Sequence, residues 1–169
     1  LDPETSIDLK MEFFVLLYEA TQGKSLYNKS IYQLLELLIK THPEDGKSHS
    51  MAGDFYFRDK QDSLALGAFK KASKYAPDKV LIWEQILSLQ SQMQLWDDLV
   101  TSSQTCVELF PNKPLFLLYL GIGQERLQRY EEAVESFEYG NNLVLDNPIL
   151  EQEFLVRLAA VYKKLKRFD

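Results

Sequence analysis

The sequence predicts an all-α chain built from stacked antiparallel helix pairs, and three observations predict it. Prolines stand at 43, 77 and 111, evenly spaced along the chain. Gly53 and Gly121, Ala65 and Ala133, and Phe69 and Phe137 each recur at twice that spacing. The stretch GAFKKASKYAPDK (67–79) puts Phe69, Ala72 and Tyr75 or Ala76 on one helical face and stops at Pro77, while no stretch sustains the period-two alternation of a half-buried strand. A fixed period of about 34 residues marks a repeat in which each unit buries its apolar face against its neighbours.

The elements follow in order. A first unit, about 12–45, carries the period through Val15, Tyr18, Ile31, Leu35 and Pro43. The second, 46–79, runs Ala52, Gly53, Tyr56, Ala65, Phe69, Ala72, Pro77, with His49 in its leading aromatic position. The third, 80–113, keeps Trp83, Ile86 and Pro111 but substitutes Leu87, Gln90, Leu99 and Ser103. The fourth, 114–151, offers Leu117, Leu120, Gly121, Ala133 and Phe137, and its proline, Pro148, comes late. A partial unit, 152–169, shows Leu155, Leu158, Ala159 and Tyr162 and ends just after Phe168. Helices are expected at about 4–22, 27–41, 46–59, 62–76, 79–93, 96–110, 113–128, 130–146 and 149–166. Proline biases the preceding residue out of the helical region and ends each second helix, and short turns such as RDKQD and LQRYE favour antiparallel neighbours. Gly53 and Ala65, like Gly121 and Ala133, are expected to face each other where two helices approach most closely, with Phe69 and Phe137 filling the space between pairs.

These residues resemble the tetratricopeptide repeat family, whose helix-turn-helix unit follows W-x2-L-G-x2-Y, then A-x3-F, then P. The match is strongest at Gly53, Tyr56, Ala65, Phe69 and Pro77, recurs in the fourth unit, and extends weakly over nearly the whole chain. The resemblance implies a right-handed superhelical solenoid whose first helices line a concave groove. Some family members grip the terminal carboxylate of a chaperone peptide there with Lys and Asn. The corresponding positions here hold Leu16 and Ala20, Ser50 and Asp54, and Glu84 and Ser88, so no such clamp is expected.

Composition narrows the function classes. The chain is 46% hydrophobic and 12% aromatic, enough for a core. Nineteen Lys and Arg against 25 Asp and Glu leave a net charge of −6 without a basic block. That balance argues against nucleic acid, whose affinity comes from neutralised phosphates. No apolar run is long enough to insert in a membrane. One cysteine, Cys106, excludes an internal disulfide and leaves the compartment open.

Candidate chemistry is sparse. HPEDGKSH clusters His42, Glu44, Asp45 and His49, but the set straddles a predicted loop and a helix start, unlike the i, i+4 spacing of helical zinc ligands. Glu44 and Asp45 suit a helix N-terminus, and His49 a packing position. Cys106 stands where the repeat has Ala72 and Gly140, a position that asks for a small buried residue. Glu131, Glu132, Glu135 and Glu138 have the spacing of a solvated helix face. No catalytic, cofactor-binding or metal-binding residue is therefore predicted.

What remains is a surface. Counted from the register, the groove would be lined by Lys47, Ser50, Asp54, Phe57 and Arg58, then Leu81, Glu84, Ser88 and Ser91, then Leu115, Leu118, Ile122 and Glu125. Its other end, around Leu115, Leu118, Tyr119 and Ile122, is expected to be apolar, and two readings stand side by side: a solvent-facing surface that takes a partner segment, or packing against the longer fourth unit. The predicted function is a non-catalytic scaffold that holds a protein or peptide segment in this groove. The alternatives are a structural spacer or a regulatory module of a larger protein, fused to an enzyme or receptor. Weak self-association is also expected through a bare stripe of Leu155, Leu158, Ala159, Tyr162 and Leu165 at the C-terminal end.

Overall fold

Nine α-helices and no strand occupy the described residues, 5–21 and 28–165, of the computed structural model. They are α1 (Ile7–Ala20), α2 (Asn28–Thr41), α3 (Gly46–Arg58), α4 (Asp62–Tyr75), α5 (Val80–Gln92), α6 (Trp96–Leu109), α7 (Pro114–Arg126), α8 (Tyr130–Asn142) and α9 (Pro148–Lys164). The expected helix ends at 4, 22, 27 and 166 lie outside the described residues, as does Phe168. One boundary differs clearly: the sequence pattern carries α8 to 146, and the helix stops at Asn142. Gly140, Asn141 and Asn142 are weak helix formers, and 143–147 absorb the extra length of this repeat before Asn147 caps α9 by accepting from the Leu150 amide. The chain divides into two compact units, Leu1–Gln85 and Ile86–Asp169, with the division inside α5.

In the first unit, Ile31, Leu35 and Leu38 form the helical stripe i, i+4, i+7 that α2 buries. They join Phe14 of α1, Met51, Ala52 and Phe55 of α3, and Ala68 of α4 in one core. The second unit centres on Leu118, Ala133, Val134 and Phe137 of α7 and α8, closed by Phe154, Leu158 and Val161 of α9.

The atoms nearest each of the two repeat glycines belong to the phenylalanine of the same helix pair. A Cβ on Gly53 would lie 2.7 Å from the Phe69 ring, and one on Gly121 would lie 2.4 Å from the Phe137 ring. Each phenylalanine thus lies on the bare backbone of its own helix pair, and Phe137 also meets Phe154 edge-on at 6.3 Å. The third repeat holds Leu87 and Ser103 in the same two positions, and both are fully buried. A large residue has moved to the first helix and a small one to the second, so the summed volume is kept while the identities are lost.

The period is clearer in the backbone than in the side chains. Lys60, Gln94 and Gln128, which share the spacing of the prolines, take left-handed φ values of 57, 58 and 62°. After each, the next amide donates to the carbonyl five positions back: Gln61 to Tyr56, Leu95 to Gln90 and Arg129 to Gln124, all at 2.9 Å. This is the Schellman closure of a helix, made here without glycine. The second helices close alike, with Ala76 donating to Ala72 and Phe110 to Cys106, each just before a proline. The leading position ties the second and third repeats to the turn before them. The Trp83 indole N–H donates to the Pro77 carbonyl at 2.9 Å, and His49 Nε2 donates to the Pro43 carbonyl at 2.8 Å.

Two consequences are testable by urea unfolding. Gly121→Ala is expected to destabilise the chain by about 1–3 kcal/mol, because the Phe137 ring must leave its seat. Leu87→Gly and Ser103→Phe should each destabilise, one by a cavity and the other by overpacking, and the double variant should recover at least ~1 kcal/mol of the summed loss. Strict additivity would show that the two positions do not share one volume.

Candidate partner-binding groove

The Asp45 side chain caps α3 by accepting from the Lys47 amide at 2.8 Å, which starts the helix so that Lys47, Ser50, Asp54 and Phe57 follow along one face. Together with α1 and the first turns of α5, that face encloses two adjoining hollows. The first, about 510 Å³, is lined by Lys47, Ser50, Met51 and Asp54 of α3, Met11 of α1, and Leu81 and Ile82 of α5. The second, about 440 Å³, shares Met51 and Asp54 and adds Val15, Tyr18, Glu19, Phe57 and Gln85. Leu81 is 74% exposed and Phe57 40% exposed, so apolar surface lies open at the rim.

The electrostatics of this face are uneven. Lys47 is paired with Asp8 of α1, whose hydrogen bond raises the lysine pKa. Lys79 is paired with Asp78 at 2.9 Å. Asp54 is half-buried and has no hydrogen bond or ion pair among the described residues, and burial pushes its carboxyl up to about 6.

Of the residues expected in the groove, Lys47, Ser50, Asp54 and Phe57 are brought together here. Arg58 is not available. Its guanidinium donates to Thr21 Oγ1 at 2.8 Å and to Asp59 Oδ1 at 2.7 Å, and lies 4.6 Å from the Phe55 ring centroid. Asp59 also accepts from the Tyr32 hydroxyl at 2.6 Å. The Arg58 hydrogen bond, then the Tyr32 one, hold the Asp59 carboxyl below the usual range, while burial and Asp59 raise the Tyr32 phenol. Arg58 is thus the centre of a clamp on α1, α2 and α3. Glu84 and Ser88 are half-buried on α5.

The expected apolar end is covered. Leu118 is only 7% exposed, and Leu115 and Ile122 pack on the same cluster, against Phe154, Leu158 and Val161 of α9. Glu125 is likewise buried, paired with Lys164 at 3.3 Å and Arg157 at 3.6 Å. The register alone leaves these positions facing a groove, whereas α9 stacks beside α7 and closes it. Leu118 is therefore a core residue of the second unit and Ile122 packs partly covered against it, so a charged substitution at Leu118 would report folding. The expected bare stripe on α9 is also smaller. Leu158 is buried, Leu165 packs on the core and Tyr162 donates to Glu138, which leaves Leu155 and Ala159, with Val156, in solvent.

The other candidates fall into place as packing groups. His49 stacks on Tyr75 at 5.6 Å, and His42 Nε2 accepts from the buried ammonium of Lys10 at 2.9 Å. Among the described residues no three His, Cys, Asp or Glu side chains lie close enough to share a metal ion. Cys106 is fully buried, and burial pushes its thiol up to about 12, far from the thiolate that a nucleophile needs. Among the described residues no helix is long and apolar enough to cross a membrane. Sequence reasoning missed Met11, Val15, Glu19, Met51 and Gln85 as lining residues, because only the seating of α1 and α5 beside α3 shows that they share a hollow.

The geometry has close counterparts among solved structures. MamA (41-end) from Desulfovibrio magneticus RS-1 superposes with a TM-score of 0.72 at 12% identity, covering 94% of this chain and 86% of that one. The TPR2B domain of yeast Sti1, in its complex with pHsp70, gives 0.63 at 14% identity over 70% of this chain and 97% of that one. The first TPR of Spaghetti (RPAP3), bound to the HSP90 peptide SRMEEVD, gives 0.63 at 17% over 72% and 94%. No family model and no curated protein matches the sequence. The chain has the tetratricopeptide-repeat fold: all-α, in antiparallel helix pairs.

Asp54 yields a pH prediction. A carboxyl whose pKa is raised by folding binds its proton in the native state before it does in the unfolded state. The native state therefore gains relative stability as pH falls from about 6 toward the unfolded value of 3.8. Asp54→Asn should stabilise the chain by on the order of 1–2 kcal/mol at pH 7.5, after discounting for residual solvent contact, and by little at pH 4. Urea midpoints at the two pH values check this.

Proposed function

We propose that this chain is a non-catalytic protein-interaction scaffold that holds a segment of a partner protein in the groove formed by α1, α3 and the start of α5. The observation that carries it is the paired hollow of about 510 and 440 Å³, with apolar walls, an open aromatic rim and a carboxylate without a partner among the described residues. Specific recognition sites combine these features: apolar area for affinity and a few polar groups for orientation. The pHsp70 complex of the Sti1 domain and the HSP90-peptide complex of the RPAP3 domain support the use of this fold for holding a partner. We extend the reading to the whole chain as one array of repeats, 12–45, 46–79, 80–113 and 114–151, with a partial repeat at 152–169. Weak self-association through Leu155 and Val156 of α9 belongs to the same proposal.

The test is site-specific photocrosslinking in the native host, with benzoylphenylalanine at Ser50 in the groove or at the exposed Lys71 on α4. A scaffold of this kind gives a defined crosslinked partner from Ser50 and none, or a different one, from Lys71. The same products from both positions, or none from either with the folded chain present, would remove the groove as the working surface.

A further inference from the structure

We propose that the groove of the first unit selects a basic side chain. A lysine or arginine of the partner segment lays its alkyl stem along Val15, Met51 and Phe57 and sets its cation against the carboxylates of Asp54 and Glu19. This rests on the scaffold reading above and specifies its partner.

The argument begins with the lining. Among the described residues, the second hollow carries two carboxylates, Asp54 and Glu19, and no cation. Neither carboxylate has a hydrogen bond or ion pair with another described residue, so within that set no cation neutralises either charge. The lysines that line the neighbouring hollow do not supply the missing charge. Lys47 is taken by Asp8 and Lys79 by Asp78. Arg58 lies over the Tyr18 ring but is held by Thr21 and Asp59, with its charge paired to Asp59.

The walls fit the same occupant. Lysine and arginine are amphipathic, and bury their stems on apolar surface while the head finds charge. Val15 and Met51 offer such surface, and Phe57 adds an aromatic ring that attracts a cation, whereas the Tyr18 ring already carries the Arg58 guanidinium at 5.4 Å from its centroid. The volume, about 440 Å³, lies in the range of specific side-chain or ligand sites.

Packing does not account for Asp54. Its counterpart two periods on is Ile122, which lies against the core of the second unit. An apolar residue serves that position in one repeat, whereas here it holds a carboxylate whose burial is unfavourable. A bound cation would relieve that burden, since an opposite charge within a few ångströms favours the ionised form. An acidic tail or a terminal carboxylate would aggravate it.

The experiment is selection of phage-displayed random linear peptides on the whole chain, in parallel on Asp54→Asn, followed by fluorescence anisotropy with the synthetic winners. Peptides sharing a Lys or Arg at one fixed position are expected. Their affinity should fall about tenfold or more with Asp54→Asn, or when the basic residue is replaced by norleucine, and less with Glu19→Gln. Asp54→Asn should at the same time leave the melting temperature equal or higher. A merely structural role would instead lower stability and binding together. Winners that lack a basic residue, or that bind Asp54→Asn as well as they bind the natural chain, would overturn the cation site while leaving the scaffold reading in place. No enrichment on the folded chain would overturn both.

Discussion

The structure depends on how much volume fits where two helices of a repeat meet. Phe69 over Gly53 and Phe137 over Gly121 are ring-on-backbone contacts so tight that a single added carbon has no room. This contact sets the distance between the paired helices. It also places the second helix of each pair so that the next repeat has a face to meet, as Phe137 meets Phe154. The third repeat shows that the constraint is on volume and not on residue type, since Leu87 and Ser103 satisfy it with the sizes exchanged. Polar pairing follows the same logic of position. Gln90 donates to Ser102 at 2.9 Å and, one period later, Ser136 donates to Gln124 at 2.7 Å, each joining the two helices of one pair.

Much of the fold was legible because prolines, glycines and aromatics mark backbone events directly. Pro77 and Pro111 announce helix ends, and the helices stop just before them. The degenerate third repeat was legible only as a departure from the pattern, because compensation between two positions cannot be recognised one residue at a time. The left-handed turns were hidden for a related reason. Lys60, Gln94 and Gln128 are not residues that signal a left-handed cap, and they adopt one because the helices on both sides demand it. The early end of α8 was likewise not marked by any proline or period.

The site was half legible. The register put Lys47, Ser50, Asp54 and Phe57 on one face, and the structure brings them to the same hollows. It failed for Leu115, Leu118, Ile122 and Glu125, because a register assigns a direction but not what stands in that direction. Whether a position lines a groove or a core depends on the next helix: beside α9, Leu118 and Glu125 are buried and Leu115 and Ile122 pack partly covered on the same cluster. Arg58 failed differently. Its neighbours Thr21, Tyr32 and Asp59 come from separate segments, and no local pattern joins them.

The contrast between Arg58 and Asp54 separates structure from function in this groove. Both are charged residues in the second half of α3, and both are partly withdrawn from water. Arg58 meets two hydrogen-bonding partners and an aromatic face, so its charge is spent on joining helices. Asp54 meets none among the described residues, and burial pushes its carboxyl up to about 6. A chain of marginal stability keeps few such groups without a use for them, because each one subtracts from a small total. The interior of one repeat holds Gly and Phe where another holds Leu and Ser, with the volume kept. The carboxylate of Asp54 has no such compensating residue among those described, and on the reading proposed here its complement comes from a partner.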